Sequence, residues 1–326
     1  MRRLVLPGLL VFSLVTLIVC PLVGPHTLSL DGLRGVGNDA RIFWELRLPR
    51  VLLAWITGAT LSLCGMVYQA IFRNPLASPD MLGVSTGAAF GAVLAIRLGV
   101  TFTLFGIIPG ISAAAFIGAV AATAVISAVG TLRRGGMSEA SLLLGGVAVS
   151  FLFGSLNMIL QYGGGYVDTF RMMRWSMGGI QAVGFVPVLA AFPALAVIFV
   201  TALAFAPELD LFTCGENIAA ARGVSVLRLR RLLFLAVSVS VGMNVALCGP
   251  IGFVGLLGPH ICRMLCGGGH RRLTWSSTLF GGGFLAVCDT IARTLWAPAE
   301  IPVGILTSCL GALFFLWLLM RRQAPS

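Results

Sequence analysis

The sequence predicts an all-α polytopic membrane protein of about ten transmembrane helices with both termini in the cytoplasm, and three observations carry that prediction. Hydrophobic residues make up 58% of the 326 residues, charged residues only 10%, and the mean hydropathy is +1.00, which excludes an ordinary soluble domain. Apolar runs suited to crossing roughly 30 Å of hydrocarbon recur at about 4–23, 50–71, 79–97, 106–130, 140–161, 185–206, 231–248, 251–266, 274–297 and 301–320. The 22 basic residues are all arginine and lie in short runs between these segments. Summed over alternate loops, fourteen stand on one side and eight on the other, which puts both termini in the cytoplasm by the positive-inside rule.

The first segment follows Arg2-Arg3 as a signal peptide would. Its apolar run is too long for one, and Val19-Cys20-Pro21 offers no small-residue cleavage site, so a membrane anchor is expected. An outer loop, 24–45, carries an interfacial Trp44. The second span opens on Leu46-Arg47-Leu48-Pro49-Arg50 and contains Leu63-Cys64-Gly65. Leu227-Arg228-Leu229-Arg230-Arg231 precedes a later span ending in Leu247-Cys248-Gly249. The two copies enter from opposite sides, the mark of an inverted repeat, about 47–161 and 228–320, within a single transmembrane domain over 1–326. Arg73 to Asp80 form a tight turn in which Ser78 caps a helix and Pro79 takes its first position, so the second and third spans are expected to be close neighbours.

In the second half, the outer loop 162–180 is broken by glycines. Glu208 to Arg231 form the longest polar interruption. Glu216 in the first turn, helix formers through Ala221, Arg222 in the last turn and Gly223 at the αL position define a short helix whose charges suit its dipole. Two turns are marginal alone, so this helix needs a surface to pack against. Gly249 to Gly255 leave the eighth span short and irregular, as is tolerated at membrane depth only inside protein or along a cavity.

The net charge of +11 does not indicate nucleic acid, because no basic, aromatic surface accompanies it. The eight cysteines fall mostly within apolar segments as small buried hydrophobes. The acids and histidines are too scattered for catalysis, so no enzyme is expected. His260, Cys262, Cys266 and His270 are spaced loosely for a metal and lie in an apolar frame, so none is assigned. Gly267-Gly268-Gly269 lacks the following Lys-Ser/Thr of a phosphate loop, and any ATP site belongs to another chain. Asp289 and Arg293 stand four apart on the ninth span and are close enough to pair. A permease driven by a separate ATPase and a stand-alone secondary transporter both fit so far. The second class usually carries ionisable residues at the midplane, and few acids lie well inside these spans.

Several stretches together resemble the permease subunit of ABC importers for iron–siderophore complexes, haem and vitamin B12: Arg47 to Arg50, residues 58–88, 142–148, 215–224, 249–263 with 270–273, and 289–315. The resemblance implies a ten-helix permease of the bacterial inner membrane that forms a homodimer, binds two cytoplasmic ATPase subunits and receives a metal chelate from a periplasmic binding protein. ATP and Mg would sit on the partner ATPase, with no cofactor on this chain. The cargo implied is a ferric siderophore or haem, or alternatively cobalamin. Gly215, Glu216, Ala219, Arg222 and Gly223 match the segment that couples to the ATPase. Arg47, Arg50 and Arg293 match outer arginines that meet acidic residues of the binding protein. The translocation path and inner gate correspond to Ser138, Glu139, Ala140, Ser141 and Asn157, where Glu139 departs from the small hydroxylated residues expected.

Overall fold

The computed structural model describes residues 4–104, 108–132 and 139–322, and these are helical almost throughout. In order the helices are α1 (Val5–Leu22), α2 (Leu30–Leu33), α3 (Asn38–Arg41), α4 (Leu48–Ile71), α5 (Val84–Arg97), α6 (Gly110–Leu132), α7 (Glu139–Tyr162) and α8 (Tyr166–Ser176). There follow α9 (Val186–Ala204), α10 (Ala206–Cys214), α11 (Glu216–Ala221), α12 (Val226–Cys248), α13 (Val254–Cys266), α14 (His270–Thr294) and α15 (Val303–Arg322). A helix stands at each of the ten expected positions. Among the described residues, seven segments are long and apolar enough to cross a membrane by themselves. Of the other three, α5 has 14 residues and α13 has 13, which reach only about 21 and 20 Å at 1.5 Å per residue. The third, α14, is lined with Ser, Thr and Gly and is buried over most of its length.

The axis of the bundle is α4, buried from Pro49 almost without interruption to Ile71 and surrounded by α14, α13, α9, α12 and α1. Backbone meets backbone at its closest crossings. A Cβ at Gly58 would lie 2.2 Å from the Gly281 carbonyl oxygen, and one at Gly65 would lie 1.7 Å from that of Gly255. The α5–α6 crossing is built alike, with Gly91 against the Ala114 carbonyl and Gly118 against that of Gly87. Small residues let helices approach this closely where lipid supplies no hydrophobic drive between them. Polar residues in the same layers turn inward on their own helices: Thr60, Thr274, Thr278 and Thr290 each donate to the carbonyl four residues back.

Two expectations change here. Pro79 does occupy the first position of a 3₁₀ turn, Pro79–Leu82, but Ser78 makes no side-chain cap bond. Nor does the turn bring α4 and α5 together: α5 packs on α6, α7, α8 and α12. Arg73, at φ 43, reverses the chain, and the Pro79 ring then lies against Gly255, so the connection passes α13 before α5 starts. At that crossing Asp80 accepts hydrogen bonds from Ser85 Oγ, at 3.1 Å, and from the backbone N–H of Phe253. The break before α13 is as irregular as its sequence implies, with Gly249 at φ 67 and Phe253 at φ 66.

Two further elements go beyond the spans. A short antiparallel hairpin pairs Thr103–Leu104 with Ile108–Pro109, ahead of an α6 that starts at Gly110. The loop expected over 162–180 contains a true helix, α8. Its glycines, 163–165, end α7 and release an amphipathic 11-residue segment.

Gly65→Ala is expected to lower the thermal unfolding midpoint of the detergent-purified protein, the overpacked contact costing about 1–3 kcal/mol of stability, and more if the α4–α13 crossing opens. Gly8→Ala, whose added Cβ meets nothing within 4 Å, is expected to leave the midpoint unchanged in the same fluorescence melt.

Candidate functional site

Polar side chains gather at the two ends of the bundle. At the first, the chain leaves α10, forms α11 and enters α12. Gly215 adopts φ 128 before α11, and Gly223 adopts φ 86 after it, a conformation that favours glycine. The Gly223 N–H donates to the Ala220 carbonyl at 2.9 Å and the Val224 N–H to that of Ala219 at 3.0 Å, a Schellman closure. Ala219 is fully buried, so α11 rests on that one residue, with Ala220 and Ala221 exposed. Asn217, Ile218, Arg222 and Gly223 stay exposed.

Glu216 looks inward, where Arg230 donates to its carboxylate. The Arg230 side chain is 4% exposed and also lies 5.6 Å over the Phe212 ring. Beside it, Asp210 of α10 accepts from both the backbone N–H and Nδ1 of His270, at 2.9 and 2.6 Å, tying α10 to the first residue of α14. Arg222 and Arg228 flank a recess of about 420 Å³ between α10 and α12.

At the opposite end stand the outer arginines of the sequence. The resemblance assigns them to contact with acidic residues of a binding protein; the structure buries Arg47 and Arg293 and leaves Arg50 partly exposed. Arg47 is 5% exposed and donates to the Leu22 and His26 carbonyls at 3.2 and 2.6 Å. Arg293, also 5% exposed, donates to the Cys20 carbonyl at 2.6 Å. Arg50 is matched within the chain: Nε and Nη2 reach Asp289 at 2.9–3.3 Å and Nη1 reaches both oxygens of Glu300 at 2.9–3.0 Å. Asp289, 1% exposed, stands 4.0 Å from Arg293 on its own helix, so its close partner comes from α4 rather than from four residues on. Asp289, the buried acid, is thus neutralised by Arg50, while Glu300 on the other side of Arg50 remains 43% exposed.

The expected path residues lie in and just before α7. Ser138 lies outside the described residues, and Glu139, Ala140 and Ser141 form the first turn of α7. Asn157 is buried against α5, its Nδ2 3.4 Å from the Thr86 carbonyl, while its Oδ1 finds no partner among the described residues. His260, Cys262, Cys266 and His270 do not converge. His270 is held by Asp210 and His260 packs edge-on to Phe314 and Phe315. Among the described residues no group of three or more His, Cys, Asp or Glu is placed to hold a metal.

Three participants are invisible to sequence spacing. Glu300 joins Arg50 across 250 positions, Asp210 joins His270 across 60, and Ile218 is half exposed on α11. An exposed apolar residue on a polar loop helix is a signal for the last.

A many-helix bundle whose long helices are apolar enough to cross a membrane, with a capped, exposed helix at one end and a charge cluster at the other, defines a multi-pass membrane protein. The chain belongs to the FecCD transport family, whose model matches residues 9–321. It is 41% identical over 290 residues, 89% of this chain and 76% of the relative, to the cobalamin import system permease protein BtuC of Halobacterium salinarum. It is 37% identical over 325 residues, 98% of this chain and 96% of the relative, to the hemin transport system permease protein HmuU of Yersinia pestis. A solved structure described as an inward-facing metal-chelate type ABC transporter superposes with a TM-score of 0.84 at 32% identity, covering 98% of this chain and 99% of that one. Permeases of this kind are transport subunits rather than catalysts.

Asp289→Asn is expected to cost about 3–5 kcal/mol, as loss of one partner from a buried ion pair does. In thermal melts the double variant Arg50→Gln with Asp289→Asn should be less destabilised than the sum of the two single changes. Strict additivity would show that the pair does not act as a unit.

Proposed function

We propose that this chain is the membrane-spanning permease of an ATP-driven importer that carries an iron chelate, a ferric siderophore or haem, into the cytoplasm. Ten helices cross the bacterial inner membrane: α1, α4, α5, α6, α7, α9, α12, α13, α14 and α15, with both termini in the cytoplasm. Two copies form a homodimer over two ATPase subunits, which bind ATP and Mg, and a periplasmic binding protein delivers the cargo. In this reading α11 lies on the cytoplasmic face and the Arg50 cluster on the outer face.

The single observation that carries the reading is α11. A six-residue helix closed by glycines at both ends, with Ile218 and Arg222 exposed, is a fixed knob on a membrane protein whose relatives are named as import permeases. Gly215, Glu216, Ala219, Arg222 and Gly223 then divide the work. Ala219 and the Glu216–Arg230 pair anchor the knob, the glycines shape its ends, and Arg222 with Ile218 meets the ATPase.

Of Arg47, Arg50 and Arg293, only Arg50 borders an open recess, so contact with acidic residues of the binding protein rests chiefly on Arg50. Residues 138–141 and Asn157 are assigned to the path and inner gate. Cobalamin is the second reading for the cargo, favoured by the 41% identity to a cobalamin permease.

The test is reconstitution with ATPase and binding protein in liposomes, reading ATP-dependent uptake. Gly223→Pro is expected to insert and dimerise normally but to reduce cargo-stimulated ATP hydrolysis at least tenfold. Proline cannot adopt φ 86 and removes the N–H that closes α11. Stimulation at the wild-type level would sink the coupling role of α11.

A further inference from the structure

The recess at the Arg50 end contains charge that the rest of the site leaves unused. It has a volume of about 280 Å³ and lies between α8, the last turn of α12 and the start of α15. Arg171 and Arg174 line it from α8, three residues apart and so on one face. Trp175 adjoins them, and Ile111 and Leu247 supply apolar wall. Among the described residues neither Arg171 nor Arg174 has an ion-pair or hydrogen-bond partner. The contrast with Arg50 in the same recess is sharp, because Arg50 is fully engaged by Asp289 and Glu300.

The floor is rigid. The Gly179 N–H donates to the Cys248 carbonyl at 2.8 Å, a Cβ at Gly178 would meet the Pro250 carbonyl at 2.1 Å, and one at Gly304 would meet that of Met177 at 2.2 Å. Three backbone contacts thus fix the C-terminal end of α8 over the break between α12 and α13, and the arginines project from a set position rather than from a loose loop.

Two guanidinium groups with free donors, beside an indole and apolar wall in a concave site, suit a carboxylate or catecholate oxygen on a flat or apolar body. The volume admits one edge of a large chelate and not the whole of it. We infer that Arg171 and Arg174, with Trp175, form an entry subsite for the anionic edge of the cargo. This inference rests on the importer reading given above. The anion it calls for is a carboxylate, a catecholate or a phosphodiester, the last being the one that cobalamin carries.

The experiment is uptake by liposomes that hold the complete transporter, with iron protoporphyrin, a tricatecholate ferric siderophore and cobalamin as probes, each with a binding protein that takes it. The wild type is expected to import an anionic probe. The Arg171→Gln, Arg174→Gln double variant should import it at least tenfold more slowly, while its affinity for the loaded binding protein changes less than twofold. Arg171→Lys with Arg174→Lys, which keeps charge without the planar fork, should recover part of the rate. Two outcomes overturn the inference while the importer reading stands, whichever probe the wild type imports: wild-type uptake by the glutamine variant, or loss of binding-protein affinity in proportion to uptake, which would assign the arginines to the docking protein. Failure of the wild type to import any probe would sink the importer reading itself, and the inference with it.

Discussion

Close contact between helix backbones is the constraint on which the rest of this structure depends. In lipid, apolar side chains gain nothing by leaving the solvent, and helices hold together by van der Waals contact and internal hydrogen bonds. The chain meets this by setting glycine against carbonyl where α4 crosses α14 and α13, at Gly58, Gly281, Gly65 and Gly255. The near-complete burial of α4 follows, because partners that approach at backbone distance leave no room for lipid. It also allows the short α5 and α13 to exist: the irregular breaks that precede them, 77–83 and 249–253, are largely enclosed by protein, as backbone at membrane depth must be.

The polar groups obey the same constraint. Buried hydroxyls bond within their own helices, and buried charges gather where carbonyls or opposite charges are at hand. Arg47 and Arg293 end on main-chain carbonyls of α1 and of the loop after it, so the chain ends of α1, α4 and α14 are fastened by cations without a matched acid for each. Arg50, Asp289 and Glu300 fasten α4, α14 and the approach to α15. These arginines therefore serve first as structure, and the charge left for ligands sits one layer out, on α8.

The helical segments were legible because the length of an apolar run is a one-dimensional property. All ten helices fall within a few residues of their expected limits, with two larger departures: α5 starts at Val84, five residues late, where Gly83 turns the chain, and α12 starts at Val226, five residues early, taking in the arginines before the apolar run. The cap at Gly223 was legible too, since αL geometry is a local demand. What was hidden is what two distant segments do together. Nothing near Arg50 announces Glu300, and a rim arginine and a buried one have the same neighbours in sequence. α8 was masked by its glycines, which mark where a helix stops but not that another begins. The same limit hid the path of Arg73 to Asp80, whose turn chemistry is local but whose destination depends on Gly255.

α14 runs 25 residues, about 37 Å by its rise per residue, as one unbroken rod. Its first residue, His270, is bonded to α10 beside the α11 knob, and near its last turn Asp289 is bonded to Arg50. The rod is bonded at both ends and packed along α4 through glycines. One continuous helix therefore joins the end of the bundle that holds α10 and α11 to the end that holds the Arg50 cluster.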